Sequence, residues 1–387
     1  MATRYGVLSL NAWGVPNATA RLSRMRGIAA MIAENKNMYD LICMQEVFVA
    51  ADARRMIQAG RKAGLEHWHV FRNGAGCWGS NSPGLVVLSR LPIAGARLCR
   101  FACSGKPYRL DQMDGMHHKA CAAVFLEGGD LGPICVYVAH LVAKYGARDE
   151  YRATRLLQAH QMARFMQETS KDASLVVLCA DLNAEPLDDA YTHLVTAARL
   201  KAIETGPTYA RNGNPYCTGE PQQIDHVLWR ATNWTVRDAG VDAYTHAHDL
   251  SDHAGVFAEF VRGNPGPGPG DDADAIKRNK VELMAALRSA IDDCRDNTRK
   301  YEVSAASALV FAVCVYSYVP WLTALAGALA VVHFIIYGTY CGEEMSSLVQ
   351  AHNEVAADLG CPQDTHVLAV DMGDAFEAAC AVLAMGG

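Results

Sequence analysis

The first 262 residues alternate short apolar runs with amphipathic stretches. The runs that we interpret as β-strands are RYGVLSL, DLICMQEV, GLVVLSR, ACAAVFLE, GPICVYVAHL and SLVVLCADLN. Several of these runs have apolar residues at consecutive positions, which indicates strands that are buried on both faces. The stretch from Arg148 to Glu168 keeps its apolar residues on one helical face and predicts an amphipathic helix. Strands that alternate with helices predict packed sheets covered by helices, an α/β layered domain.

The pattern changes after residue 262. Residues 263–275 begin with GNPGPGPGDDAD, a composition typical of a linker. Residues 276–302 predict a charged amphipathic helix. Its apolar stripe is formed by Leu283, Leu287, Ala290, Ile291 and Cys294. Residues 303–342 contain no Asp, Glu, Lys or Arg. Because one membrane span needs about 20 apolar residues, this segment predicts a two-helix transmembrane hairpin.

A re-entrant hairpin and an apolar helical hairpin inside a soluble core remain alternatives for residues 303–342. Arg288, Arg295, Arg299 and Lys300 precede the segment, and by the positive-inside rule they place the first 262 residues in the cytosol. Residues 343–387 predict a further helical segment, whose first part could fold back on the helix before the hairpin. We therefore expect an integral intracellular membrane protein, in the endoplasmic reticulum or another endomembrane.

Charge and cysteine usage narrow the class of protein. The net charge is -6 at pH 7, which gives no general attraction to polyanions, so we expect no nucleic-acid partner. The 13 cysteines are odd in number and form no CxxC pair. That pattern indicates neither a disulfide framework nor a structural metal site, and it favours a reduced catalytic domain.

Six short motifs place polar residues at or near the ends of the predicted strands. They are Asn11 in SLNAWG, Glu46 in MQEV, His140 in YVAHL, Asp181 and Asn183 in ADLN, Asp225 in QIDHVLW, and Asp252 with His253 in LSDH. Taken singly, each is typical of a turn or a helix cap. As a set they supply oxygen ligands, two histidines and carboxylates at strand ends, where layered α/β proteins build their sites. These are the groups needed to hydrolyse a phosphodiester.

The residue types predict a metal-assisted mechanism. Glu46 offers a carboxylate and Asn11 an amide carbonyl to Mg²⁺, with Mn²⁺ as a substitute and Asp252 as a further ligand. His253 is the candidate general base, and Asp225 orients its ring.

Three further residues complete the predicted catalytic set. Asp181 is expected to position the attacking water, while Asn183 and His140 donate hydrogen bonds to the phosphoryl oxygens. The order Asn, Glu, His, Asp-x-Asn, Asp, Asp-His resembles the endonuclease/exonuclease/phosphatase superfamily. This resemblance implies a four-layer α/β sandwich of the DNase I-like type and metal-assisted phosphoester hydrolysis.

Longer segments resemble the neutral sphingomyelinases of that superfamily. They are LSLNAWGVP, SPGLVVLSRLPI, DGMHHKA, YVAHLVAKY and NPYCTGEPQQIDHVLW. In DGMHHKA, Asp114 and Lys119 have the offset of the Asp–Lys pair thought to gate the family's active site. The helix, hairpin and second helix at the C-terminal end resemble the smaller, hairpin-anchored branch. The resemblance implies phospholipase C-type cleavage of sphingomyelin to ceramide and phosphocholine, with a membrane substrate and an activating anionic lipid.

Two positions depart from the family pattern. His226 stands where the family commonly has Tyr, and Val142 stands where it often has a second His. These changes flank candidate catalytic residues and could alter the headgroup preference without removing a proposed catalytic group.

Other functions remain open at this level. An inositol phosphosphingolipid phospholipase C presents the same scissile arrangement, and a phosphoinositide phosphatase also acts on a lipid. A nuclease has no use for a membrane hairpin. A catalytically silent membrane scaffold would be expected to have lost Glu46, Asp181 or His253, and all three are present.

Overall fold

The computed structural model describes residues 4–35, 37–72, 82–106, 109, 112, 114, 118–146, 149–210, 213–242, 245, 249–266, 274, 276–295, 340 and 342–359. The chain divides into two compact units, Met1–Asn279 and Lys280–Gly387. This boundary lies beyond the start of the predicted linker at residue 263.

The first unit contains two six-stranded sheets. Their strands are β1 (Arg4–Asn11), β2 (Leu41–Gln45), β3 (His67–Val70), β4 (Val86–Ser89), β5 (Ile93–Arg100), β6 (Ala120–Leu126), β7 (Ile134–His140), β8 (Leu175–Asp181), β9 (Lys201–Ala202), β10 (Asp225–Ala231), β11 (Trp234–Val241) and β12 (Val256–Arg262). Sheet A has the order β11-β12-β1-β2-β4-β3, and sheet B has the order β5-β6-β7-β8-β10-β9. All six predicted strands are confirmed.

Four helices cover the two sheets. They are α1 (Arg21–Ala33), α2 (Ala50–Lys62), α3 (Arg152–Thr169) and α4 (Asp189–Ala197), and a short 3₁₀ helix spans Gly129–Leu131. The helix α3 corresponds to the one predicted from Arg148 to Glu168. The first parallel pair is β1 with β2, joined through α1, and the second is β7 with β8, joined through α3. These are the helical crossovers that parallel strands require.

The burial pattern explains the consecutive apolar residues of the strands. Val7 of β1 packs with Val136 and Val177 of sheet B in a core between the sheets. Its neighbour Leu8 points the other way and packs with Ile28 of α1, because successive side chains of a strand face opposite sides. A third core lies between sheet B and the helices α3 and α4. The layers are therefore helix, sheet, sheet and helix, and the four-layer sandwich is confirmed.

The strand register collects several strand ends at one edge of the sandwich. In sheet A, Asn11 lies opposite Gln45. In sheet B, His140 lies opposite Asp181, and Asp181 lies opposite Asp225. The parallel strands contribute their carboxyl ends, whereas the antiparallel β10 contributes its amino end. Polar residues separated by up to 214 positions therefore lie on the same edge.

The opposite end of sheet B is held by Arg230 near the end of β10. Its guanidinium donates to the Ser170 hydroxyl at 2.6 Å and to the Ala198 carbonyl at 3.3 Å. Ser170 and Ala198 are the C-terminal caps of α3 and α4. A cation is favourable at these positions because helix C-termini carry partial negative charge. Arg230 therefore fixes both helix ends to the sheet, away from the edge that carries the candidate catalytic residues.

The second unit contains two described helical stretches, residues 276–295, which begin in the first unit, and residues 342–359. The predicted apolar stripe of the first stretch, represented by Leu283, Leu287 and Ile291, is buried. Lys280 forms an ion pair with Asp358 at 2.7 Å, so the second stretch folds back on the first as expected.

The predicted membrane segment is not part of these described helices. Among the helices of the described residues, none has both the length and the apolarity needed to cross a bilayer. The predicted hairpin at residues 303–342 lies almost entirely outside those residues, as does the chain after residue 359.

Candidate active site

Asn11 joins the two sheets at the polar edge. Its amide nitrogen donates to Asp181 Oδ2 at 2.8 Å and to Glu46 Oε1 at 3.2 Å, so one side chain from sheet A holds a carboxylate from each sheet. The oxygen of the same side-chain amide, Oδ1, accepts the Trp13 backbone N–H at 2.9 Å. This hydrogen bond uses one lone pair of the side-chain oxygen, so the role of Asn11 as a metal ligand stays a prediction. In the structure, Asn11 holds the two carboxylates.

His253 and Asp225 form a dyad. The ring nitrogen Nδ1 of His253 lies 2.7 Å from Asp225 Oδ2, and both side chains are buried. The other ring nitrogen, Nε2, lies 3.9 Å from Asp181 Oδ2 and 3.9 Å from Asp252 Oδ1. Nε2 is thus the nitrogen directed toward the remaining carboxylates, which is the arrangement a general base needs.

Lys119, His140 and Asp114 form a second group beside this dyad. The Lys119 ammonium lies 2.8 Å from His140 Nε2 and 3.0 Å from Asp114 Oδ1. Asp114 also accepts the Ala143 backbone N–H at 2.9 Å. His140 Nε2 is 3.4 Å from Asp181 Oδ2. The Asp114 and Lys119 side chains, singled out only by a family offset, are therefore in contact with each other and reach the catalytic edge through His140.

Asn183 and Asp252 lie at the margin of this cluster. Asn183 donates its side-chain amide to the Leu141 carbonyl at 2.9 Å, and its backbone N–H binds Asp181 at 3.0 Å. One of its two amide hydrogens is therefore already used within the protein, and its donation to a phosphoryl oxygen stays a prediction. Asp252 is 7% exposed and accepts a hydrogen bond from Ser251 at 3.2 Å.

The backbone is strained where three strands enter the site. Trp13, Glu46 and Asn183 have φ angles of 46°, 59° and 47°, a left-handed conformation that costs non-glycine residues free energy and often occurs at functional sites. The Glu46 backbone is also closely packed. A Cβ on Gly14 would lie 2.3 Å from the Glu46 carbonyl oxygen, and a Cβ on Gly84 would lie 3.0 Å from its Cα. Both glycines are therefore required for this placement of Glu46.

The electrostatics of the site follow from burial of like charges. Burial raises the pKa of Asp181 to about 7, and the nearby Asp225 carboxylate adds to the rise. Burial also raises the pKa of Glu46 and of Asp252. For His253, burial lowers the pKa, but the Asp225 and Asp252 carboxylates outweigh it and raise the pKa well above the ordinary value. These carboxyl groups therefore ionise less readily than exposed ones unless a cation joins them.

The donor set fits a divalent cation. Among the described residues, the buried atoms Glu46 Oε2 and Asp225 Oδ1 have no hydrogen-bond partner, and such orphaned oxygens are costly without a ligand. Asp181, Asp225 and His253 each place one ligand atom within 4.8 Å of the others. Carboxylate oxygens are the ligands that Mg²⁺ prefers. Asp181, Asp225 and His253 were not predicted from the sequence as metal ligands. Asp181 was assigned to the attacking water, and the other two were assigned to the general base.

The two departures from the family pattern, His226 and Val142, are both buried. His226 is 2% exposed, donates from Nε2 to the Ala184 carbonyl at 2.9 Å and packs against the Tyr191 ring. Val142 is fully buried. Both side chains are buried in the first unit, and their effect on headgroup preference stays a prediction.

Thr208 and Ser251 also support the site, and neither was predicted from the sequence. The Thr208 hydroxyl accepts the backbone N–H groups of Ile224 and Asp225 at 3.2 and 3.1 Å, and the Ser251 hydroxyl donates to the Asn11 carbonyl at 2.7 Å. Thr208 lies in a loop with no distinctive pattern. Ser251 could have been suspected only from its place beside Asp252.

Residues 8–253 match the family model described as the Endonuclease/Exonuclease/phosphatase family. The rat Sphingomyelin phosphodiesterase 2 is 34% identical over 317 residues, which span 74% of this chain and 72% of that protein. The fruit-fly “Putative neutral sphingomyelinase” is 34% identical over 237 residues, 58% of this chain. The chain spans only 51% of that relative's length.

A yeast relative and a solved structure extend the comparison. Inositol phosphosphingolipids phospholipase C of Saccharomyces cerevisiae is 26% identical over 202 residues, which span 46% of this chain and 41% of that protein. The crystal structure of Sphingomyelinase C from Streptomyces griseocarneus superposes with a TM-score of 0.52 at 21% identity, covering 66% of this chain and 99% of that one. The structural likeness supports the two-sheet sandwich.

Substitution of Gly14→Ala is expected to displace Glu46, because the new methyl group would overlap the Glu46 carbonyl oxygen. We expect the Kd for Mg²⁺, measured by isothermal titration calorimetry, to rise about 10-fold or more. Gly206→Ala is the matched control, since nothing lies within 4 Å of a Cβ there. Equal Mg²⁺ affinity in a folded Gly14→Ala variant would show that Glu46 does not hold the metal.

The affinity for Mg²⁺ is expected to rise with pH through neutrality. The pKa of Asp181 is about 7, so below that pH a cation must displace a proton, and above it the carboxylate is already ionised. The Kd should fall by up to about tenfold per pH unit below pH 7 and level off above pH 8. Calorimetry between pH 5.5 and 8.5 checks this dependence.

Asp189, which is half-buried and pairs with Arg152, provides a control for this titration. Asp181→Asn should flatten the pH profile, whereas Asp189→Asn should keep the wild-type slope. A flat profile in the wild-type protein would exclude Asp181 as a proton-linked part of the metal site.

Proposed function

The chain belongs to the endonuclease/exonuclease/phosphatase family and, within it, to the neutral sphingomyelinases, which are phosphodiesterases; from this premise we propose that it hydrolyses a sphingolipid headgroup in the manner of a phospholipase C. The favoured substrate is sphingomyelin, which would yield ceramide and phosphocholine. The observation that carries the proposal is the His253–Asp225 dyad, whose Nε2 lies 3.9 Å from both the Asp181 and the Asp252 carboxylates.

The proposed reaction needs a base, an oriented water and donors for the phosphoryl oxygens. His253 would take the proton of the attacking water through Nε2, while Asp225 holds Nδ1 and stabilises the resulting imidazolium. Asp181 lies 3.9 Å from Nε2 and would orient the water between them. Water then adds to phosphorus, the bond from phosphorus to the ceramide oxygen breaks, and that oxygen is protonated.

The phosphoryl oxygens would accept hydrogen bonds from Lys119 and His140. His140 and Lys119 lie 2.8 Å apart and would donate to the charge that builds on these oxygens. Glu46 is proposed to hold Mg²⁺, with Asp252 and Asp181 as further oxygen ligands. The cation would polarise the phosphoryl oxygen and stabilise the leaving group when bound.

Inositol phosphosphingolipids are the second candidate substrate class. A yeast relative carries that activity in its name, and the scissile bond is the same. The catalytic groups proposed above contact only the phosphodiester, so they serve either headgroup. A phosphoinositide phosphatase and a silent scaffold are the remaining alternatives, and the intact dyad argues against the scaffold.

We further propose that the chain is anchored in an intracellular membrane with the first unit in the cytosol. The support is the uncharged stretch of residues 303–342 and the four basic residues before it. A tether raises the effective concentration of a lipid that is found only in membranes. An activating anionic lipid belongs to the same proposal, and no nucleic-acid partner is expected for an acidic chain.

Release of headgroup from mixed micelles tests the reaction. Phosphocholine from sphingomyelin and inositol phosphate from inositol phosphoceramide would be measured with Mg²⁺, with Mn²⁺ and with EDTA. We expect metal-dependent release that His253→Ala reduces by at least about 100-fold, the range found for a positioned general base. His226→Tyr is the control, because that ring donates to the Ala184 carbonyl and packs against Tyr191.

The outcomes of this assay separate the candidates. Faster release from one lipid identifies the headgroup. Release of phosphate only from a phosphoinositide would replace the proposal by a phosphatase. No turnover of any lipid by metal-loaded protein would favour the scaffold.

The anchor is tested with the full chain expressed in cells. We expect it to stay in the membrane pellet after alkaline carbonate extraction, and deletion of residues 303–342 to release it. A protease site inserted at residue 270 of the linker should be cut from the cytosolic side of sealed microsomes. Release of the full chain by carbonate, or cleavage only after lysis of the vesicles, would overturn the anchor or its orientation.

A further inference from the structure

Arg24 is a buried cation without a carboxylate partner. Its side chain projects from the first turn of α1 and is 2% exposed, and no ion pair joins it to a described residue. Instead the guanidinium donates to four backbone carbonyls. They are Thr19 at 2.9 Å, Ala12 at 3.0 Å, Trp13 at 2.8 Å and Leu250 at 3.4 Å. A guanidinium placed this way costs desolvation energy, which only specific contacts can offset.

These carbonyls belong to the two loops that carry opposite sides of the active site. Ala12 and Trp13 directly follow Asn11, which holds Glu46 and Asp181. Leu250 directly precedes Ser251, Asp252 and His253. A fork of fixed planar geometry can hold both loops at once, as a lysine ammonium cannot. Arg24 therefore links the loop of the metal-binding carboxylates to the loop of the general base.

The contact with Trp13 occurs where the backbone is strained. The Trp13 ring lies 4.3 Å from the guanidinium carbon in a cation–π contact, while its φ of 46° is unfavourable for this residue type. The next residue is Gly14, whose Cα packs against the Glu46 carbonyl. Arg24 thus stabilises the strained turn that sets the position of Glu46.

The same guanidinium reaches a third loop. The Tyr216 ring lies 5.4 Å from it and 5.6 Å from the Trp13 ring. Asn214, two residues earlier, donates to the Ser251 carbonyl at 2.9 Å, and Cys217 contacts the Asp252 carbonyl. Arg24, Trp13 and Tyr216 therefore form one packed cluster, here called the arginine cluster, behind Asn11 and Asp252.

We propose that Arg24 is a positioning residue for phosphodiester hydrolysis, because its fork holds the Asn11 turn and the Asp252–His253 loop in one arrangement. This inference rests on the proposed function. It assigns Arg24 no contact with the substrate. Its effect is exerted through the distance between the Glu46 side and the His253 side of the site, and that distance governs turnover more than substrate binding.

Substitution of Arg24→Lys tests the fork while it keeps the charge. We expect kcat for sphingomyelin in Mg²⁺-containing mixed micelles to fall about 10- to 100-fold, as for other residues that support a metal site. KM should stay within about twofold, because the lipid does not contact Arg24. The Kd for Mg²⁺, measured by calorimetry without lipid, should rise in the same range.

Arg230→Lys is the matched control. Arg230 also donates to backbone carbonyls, but at the opposite end of sheet B, so its exchange should lower Tm without changing kcat or the Kd for Mg²⁺. If both variants lose activity only in proportion to their loss of Tm, Arg24 is merely structural and the proposal is overturned. Wild-type kcat in folded Arg24→Lys overturns it as well.

A second variant covers the case in which Arg24→Lys does not fold. Trp13→Leu removes the half-buried ring that stacks on the guanidinium and should lower kcat in a folded protein, with KM unchanged; an unchanged kcat would overturn the proposal. Failure of the proposed function can be distinguished from failure of this inference. If the proposed function fails, wild-type protein releases no headgroup. The Mg²⁺ titration of Arg24→Lys then still reports whether Arg24 positions the metal side.

Discussion

Four carboxylates are buried together at one edge of the sandwich, and their mutual repulsion is the constraint that the surrounding structure must meet. Glu46, Asp181, Asp225 and Asp252 come from four different segments of the chain, and burial raises the pKa of three of them. Lys119 offsets part of this charge from the side of His140. The remainder favours a divalent cation, whose binding requires that the carboxylates be held together before it arrives.

The carboxylates are held in place mainly by backbone and amide contacts rather than by opposite charges. Asn11 spans two carboxylates, Thr208 binds the N–H of Asp225, and Gly14 allows the close approach of Glu46. Arg24 is a cation that contributes through four carbonyls. Such contacts fix geometry without neutralising the site, so its charge remains available to a metal ion and a phosphodiester.

The division between the catalytic unit and the C-terminal segments matches a division of tasks in the proposal. All ten candidate site residues lie before residue 254, within the first unit. The uncharged stretch lies beyond residue 302. The proposal thus assigns chemistry on the phosphodiester and access to the lipid to different parts of the chain. The departures at Val142 and His226 fall in the buried packing of the first unit.

The sequence by itself determined the layered fold and the residue types of the site. Consecutive apolar residues in the strands require burial on both faces, and that requirement follows from local periodicity. The polar residues of the site were recognisable because they stand at or near the ends of these apolar runs.

Only the tertiary structure decided which of these residues meet and in what roles. Asn11 donates to two carboxylates while its side-chain oxygen accepts the Trp13 N–H, Asp181 lies beside Asp225 because β8 pairs with β10, and Arg24 reaches Leu250 across 226 positions. Such contacts depend on strand register and sheet packing, which bring distant segments together and leave no periodic signal in the chain.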